Sequence, residues 1–323
     1  ALSDSRGELV QTIFGIPWYY RQFGYEYGLH FIGAIRIDEG DIPDLEEGER
    51  DLYNLRPVTE ADTSFLKEVY DYACKRQPVA APKSDEEWRY YLRGYSENSF
   101  ASRRWLVVER SDRERVGYVQ YVATGGWLWD ERSHLAVFQV ELKPGVGYLD
   151  AMPSILRSMV EIGRRESAKT RDKDFRGISL ELGTNHPAYD ASPAQGLVVD
   201  DHALYARVPD ALTFLRHIRP ALEANLVGTV AEGFTGELNI DLYTIKLRFD
   251  FERGRIKTIE DTKDNTWDAR FPDLTFLRLL FGHMRCTELE AAYPDCVTTP
   301  VAATLLDCLF PANKSNVWSG IDG

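Results

Sequence analysis

Phenols, an arginine and a carboxylate crowd into one short stretch: Ile16-Pro17-Trp18-Tyr19-Tyr20-Arg21-Gln22-Phe23-Gly24-Tyr25-Glu26-Tyr27. A phenol hydroxyl both donates and accepts hydrogen bonds, so each of these tyrosines could hand a proton to a leaving group. The aromatic faces beside them could wall a ligand. The same density also suits a short helix packed on a sheet, and the pattern alone leaves both readings open. The elements that must position these groups are legible on either side. Leu9 to Phe14 reads as a buried strand, an apolar β-branched run stopped by Gly15. Pro17 suits a first helical turn, where its missing N–H is no loss, and Gly24 suits the helix end. Tyr27 to Ile37 reads as one further strand. A strand this close to the start of the chain must find a partner or lie as a frayed edge.

Strand, short helix and Tyr-Tyr-Arg-Gln-Phe-Gly-Tyr-Glu-Tyr together resemble the C-terminal half of a GNAT-type acetyltransferase domain. The longer form of the signature resembles the enhanced-intracellular-survival (Eis) subfamily. Its members carry a GNAT domain, a degenerate second GNAT domain and a sterol-carrier-protein-like domain. The resemblance implies acetyl transfer from acetyl-CoA, as co-substrate, to an amine-bearing small molecule or peptide. Such enzymes form no covalent intermediate: a base frees the amine and an acid protonates the departing thiolate. The position matching the family's acid is Tyr20, and its base, the C-terminal carboxylate, falls on Gly323, after Trp318. Phe14, Gly15 and Tyr20 would then line the acetyl-CoA side, and Trp18, Tyr19 and Glu26 the acceptor side. A homo-oligomer is implied by the same resemblance. The phosphate-cradling turn that opens a helix in this family has no counterpart in the sequence, so the chain is expected to begin midway through its first GNAT domain.

The rest of the chain is consistent with that order. Residues 1–52 would be the end of the first domain plus an acidic, turn-rich linker from Asp38 to Arg50. Residues 53–208 would be the degenerate GNAT-like domain. Arg56-Pro57-Val58-Thr59-Glu60-Ala61-Asp62 opens it as a strand and a capped helix. Strands follow near 105–109, 116–123 and 134–142, the last alternating in polarity, then a helix over Met152 to Ala168 and a strand over Ile178 to Leu182. Between strand and long helix stands Lys143-Pro144-Gly145-Val146-Gly147-Tyr148-Leu149-Asp150. Its glycine spacing does not match a phosphate loop, and Asp150 would repel a phosphate, so cofactor binding is read as lost here. Lys143 reads as a solvated surface charge and His186, before Pro187, as a loop cap rather than a base.

Residues 209–323 would form the sterol-carrier-protein-like domain. A helix begins at Pro209-Asp210, and Gly236–Tyr243 and Ile245–Phe251 alternate strictly as half-buried antiparallel strands. Phe271-Pro272-Asp273-Leu274 begins a helix closed by Gly282. The fold class expected overall is mixed α+β and α/β: GNAT-like twisted mixed sheets with flanking helices, then an antiparallel sheet with helices.

Composition narrows the function. The 323 residues carry a net charge of −13, which disfavours nucleic acid and anionic membranes as partners. No run reaches the roughly 20 apolar residues of a membrane span, and no signal peptide is evident, so a cytoplasmic location is expected. Four cysteines lack C-x-x-C spacing and six histidines lack H-x-x-x-H spacing, so reduced thiols and no metal are expected. Two alternatives to the enzyme stay open: a non-catalytic binding or assembly module, and a small-molecule or lipid carrier acting through the last domain.

Overall fold

The computed structural model describes residues 2–16, 18–31, 33–96, 99, 103–122, 134–169, 174–183, 185–193, 196–199, 202–313 and 317. In chain order the elements begin with α1 (Leu2–Ser5), β1 (Gln11–Ile13), a 3-10 turn (Tyr19–Phe23), β2 (Glu26–Phe31) and β3 (Ala34–Asp38). Next come β4 (Tyr53–Pro57), α2 (Thr63–Cys74), α3 (Asp85–Arg93), β5 (Arg103–Arg110), β6 (Arg115–Val122) and β7 (His134–Leu142). They are followed by α4 (Tyr148–Ser167), β8 (Gly177–Leu180), α5 (Pro187–Asp190), β9 (Leu197–Val199) and β10 (His202–Arg207). The chain continues with α6 (Ala211–Leu226), β11 (Gly236–Asp241), β12 (Lys246–Glu252), β13 (Arg255–Asp261) and β14 (Ala269–Arg270). It closes on α7 (Asp273–Leu280), α8 (Cys286–Ala292), β15 (Val297–Thr298) and α9 (Pro300–Leu309). This is the expected mixture of twisted mixed sheets and flanking helices.

Two compact units divide the chain. The first joins residues 1–30 to 203–314, and the second holds 31–202 with 315–323.

In the first unit a three-stranded sheet runs β1–β10–β2. The early strand therefore does find a partner: β1 lies antiparallel to β10, with Ile13 opposite Tyr205. A five-stranded sheet runs β13–β12–β11–β14–β15. Its alternation holds, with Leu238, Ile240, Leu247, Phe249, Phe251, Ile256 and Ile259 buried. Arg253 and Gly254, at φ 51° and 76°, make the turn between β12 and β13. Left-handed backbone at both positions matches the twist of a tight hairpin. α6 starts where Asp210 accepts a hydrogen bond from the Thr213 amide, and it packs against β13.

In the second unit seven strands run β4–β5–β6–β7–β8–β3–β9. Every neighbour pair is antiparallel except β7 and β8, which are parallel and joined through α4. These two pair only from His134 opposite Gly177 to Val137 opposite Leu180, and beyond that β7 runs on to Leu142 paired with β6 alone. β4 is followed by the expected cap, since the Thr59 amide and hydroxyl both donate to Asp62. Trp88, Trp105, Tyr118, Leu66 and Val107 centre its core.

Two boundaries read from the sequence differ from those of the structure. Tyr27 to Ile37 is two strands, because β2 belongs to the three-stranded sheet while β3 pairs with β8 and β9 in the other. β7 is a strand over His134–Leu142 as expected, and almost every residue in it is buried, because α2 and α4 both pack against it. The long helix starts at Tyr148, a turn before Met152, and carries Pro153 inside it rather than at its start. No disulfide forms: the four cysteines are free. Among the described residues no helix is long and apolar enough to cross a membrane.

Candidate active site

Tyr20 sits in the 3-10 turn that follows β1. The turn is entered through Trp18, whose φ of 66° is left-handed, and left through Gly24 at φ 83°. Gly24 thus ends the turn as its residue type predicts. Pro17, expected to open a helix, lies outside the described residues, as do Trp318 and Gly323.

The Tyr20 ring is half-buried and lies against Gly15. A methyl group on Gly15 would stand 2.4 Å from the ring carbon Cε2 and 3.0 Å from the hydroxyl. Glycine is required here by close approach, not by backbone angle. The ring meets Tyr19, Tyr205 and Tyr25 edge-on at 5.2, 5.6 and 6.1 Å between centroids. Quadrupoles favour such edge contacts. Tyr205 is itself stacked on Tyr27 at 4.0 Å, and its hydroxyl donates to the Ile16 carbonyl at 3.4 Å. Burial, with a hydrogen bond to Tyr27, pushes the Tyr205 phenol up to about 12. Among the described residues the Tyr20 hydroxyl makes no hydrogen bond. Phe14, Ile16, Trp18, Tyr19 and Phe23 of the same stretch are all exposed. Single exposed apolar side chains are ordinary, but five within ten residues make a patch.

Glu26 opens β2 and is fully buried. Its Oε1 takes the Arg278 guanidinium at 2.7 Å and the Tyr27 amide at 2.9 Å. Its Oε2 faces Arg21 at 2.5 Å. Arg21 in turn lies over the Trp18 ring, 4.8 Å from its centroid. Of the six residues expected to line a site, Tyr20 touches Gly15 and Tyr19, Trp18 and Glu26 both meet Arg21, and Phe14 is exposed in the same stretch. Arg21 stands in the same stretch without an assigned role, and Tyr205 and Arg278 join it only in the fold. A glutamate in an apolar strand signals a buried cation partner, but nothing in the sequence points to Arg278, 252 positions away.

The second unit holds a contrasting cluster where β7 outruns β8. Glu141 binds Arg76 at 2.6 Å and faces His186 Nε2 at 3.4 Å. The Tyr148 hydroxyl lies 3.2 Å from Glu141 Oε2. His186 Nδ1 accepts from the Ala188 amide at 3.1 Å, which makes it the cap of α5, as expected. Burial would raise Glu141, but His186 and Arg76 outweigh it and hold the carboxyl below its ordinary value. Burial, aided by the charge of Glu141, pushes the Tyr148 phenol up. The remaining cavity, lined in part by Tyr70, Cys74 and His186, is about 40 Å³. Lys143, expected to be a solvated charge, is ion-paired with Glu114.

No family model matches the chain, and no curated protein does either. Solved structures do. The fold is that of GCN5-related N-acetyltransferase structures, and it is shared along nearly the whole chain. A GCN5-related N-acetyltransferase from Anabaena variabilis superposes with a TM-score of 0.67, covering 98% of this chain and 74% of its own, at 14% identity. Eis1 from Mycobacterium abscessus gives 0.57, covering 97% of this chain and 73% of its own, at 17% identity. At such identities the likeness establishes the fold alone.

Proposed function

We propose that this chain belongs to an N-acetyltransferase that moves the acetyl group of acetyl-CoA to an amine, with Tyr20 as the general acid. The observation that carries the reading is Tyr20 itself: a phenol packed against rings, at the position the family resemblance assigns, whose hydroxyl makes no hydrogen bond among the described residues. In this reaction the amine nitrogen bonds to the thioester carbonyl carbon. The carbon–sulfur bond then breaks, and the thiolate takes the Tyr20 proton. The base of this reading is the Gly323 carboxylate, as the resemblance assigns it. Residues 53–208 are read as a GNAT-like domain that has lost its cofactor site. Supporting this, Lys143 at the strand-to-helix junction is engaged by Glu114, and Asp150 sits at the start of α4. A sterol-carrier-protein-like role for residues 209–323, a homo-oligomer and a cytoplasmic location complete the proposal.

Calorimetric titration of acetyl-CoA into this chain, and into a form extended at its N-terminus, tests the reading. Binding by at least one form is expected, and binding by neither overturns it. In the active form Tyr20→Phe should lower kcat by about 10²-fold. Unchanged turnover would remove Tyr20 from the acid role.

A further inference from the structure

The cluster of Trp18, Arg21, Glu26 and Arg278 has the composition of a cation-binding site, and one of its own side chains fills it. Glu26 is 0% exposed, whereas the Arg21 side chain is 27% exposed and the Trp18 residue 67%. Arg21 therefore reaches the carboxylate from the solvent side and lies against an aromatic face that is itself in water. The two oxygens of Glu26 differ. Oε1 is saturated by the Arg278 guanidinium and the Tyr27 amide. Oε2 is buried and close to Arg21, yet it receives no properly directed hydrogen bond. A buried carboxylate oxygen without a directed donor is costly, and a cation free to choose its approach satisfies it better than a tethered guanidinium. Two guanidiniums against one carboxylate leave one positive charge in excess. A cationic ligand that replaces Arg21 leaves that balance unchanged, so exchange meets no new charge penalty. The aromatic face of Trp18 would hold the newcomer as it now holds Arg21.

We infer that Trp18 and Glu26 form a binding site for an organic cation, an alkylammonium or guanidinium, and that Arg21 is its built-in occupant, displaced on binding. The inference names the acceptor class for the acetyl-transfer reading and rests on that reading for its meaning, but its test needs no acetyl-CoA. Butylguanidinium and butylammonium are titrated calorimetrically into wild-type chain and into Arg21→Ala. The vacated site should bind at least one probe about ten-fold more tightly than wild type. Adding Trp18→Ala to Arg21→Ala should weaken that binding several-fold, and Trp18 is exposed enough that its loss leaves the fold intact. Adding Glu26→Gln should abolish it, with far-UV circular dichroism confirming that the variant is folded. Equal affinity in wild type and Arg21→Ala overturns the inference, as does binding indifferent to Trp18. Tightened cation binding by a chain that never binds acetyl-CoA would instead sink the transfer reading and leave the site standing.

Discussion

Tyr20 and Tyr148 are both phenols at the start of a helical segment, each following a strand, and the two units use them in opposite ways. Tyr148 is locked into an ionic cluster: its hydroxyl lies against Glu141 and the Val140 carbonyl, with Arg76 and His186 completing the set. Tyr20 is packed only by rings and by the bare backbone of Gly15. A group that must give up a proton during a reaction cannot also be holding a fold together with it. The difference separates a phenol committed to structure from one available for chemistry.

Breaking the locked cluster should have the largest effect. Arg76→Ala leaves Glu141 buried without its guanidinium and should lower stability by about 3–5 kcal/mol, read from the denaturant midpoint. A loss below about 1 kcal/mol would mean that the cluster is not a structural lock. Next comes Asp62, a nearly fully buried carboxylate in the same unit, bound by Arg56 at 2.7 and 2.9 Å. Asp62→Asn should cost about 2–3 kcal/mol at neutral pH, discounted because Arg56 is partly in water. The Arg56 guanidinium holds Asp62 below the usual carboxylate range. Its contribution is therefore present above the unfolded value, near 4, and is lost as pH falls through the depressed folded one. Wild type and Asp62→Asn should converge in stability on acidification, and parallel curves would contradict the assignment.

The open site should behave otherwise. Gly15→Ala must push the Tyr20 ring aside, because the new methyl meets a movable side chain and not backbone. Turnover of the active form should fall about ten-fold or more while stability changes by less than about 1 kcal/mol. By contrast Gly177→Ala would meet the Ile37 carbonyl at 2.1 Å between β8 and β3, and there stability should fall by about 1–3 kcal/mol. If Gly15→Ala destabilised as much as Gly177→Ala, the Tyr20 wall would be core rather than site. Smallest of all, Tyr19→Ser should move stability by less than about 0.5 kcal/mol, since its ring is exposed.

Much of the fold is written in local pattern. Thr59 with Asp62, Ser84 before three acids and Asp210 before α6 cap their helices as residue type dictates. The strict alternation around Leu247, Phe249 and Phe251 gives a one-faced strand. Pattern fails where coverage is set by distant chain. Whether β7 has a wet face depends on α2 and α4, and no window of residues 134–142 contains them. The break at Gly33 fails for the same reason: β2 and β3 separate because their partners, β10 and β8, come from more than a hundred residues later. The candidate site divides likewise. Tyr20 and its neighbours lie in one stretch and are readable together, whereas Tyr205 and Arg278 reach it only through tertiary folding.

Trp18 holds a left-handed backbone that an L-residue adopts at a cost of about 1 kcal/mol or more, and it leaves most of its ring in water. Glycine at this position would relieve the backbone and give up only the smaller, buried part of the tryptophan with its contact to Arg21, so Trp18→Gly should melt no lower than the natural chain. On the proposed reading, a tryptophan kept against its backbone strain marks a compromise between endurance and use, and it limits how thermostable an active descendant of this sequence can be made.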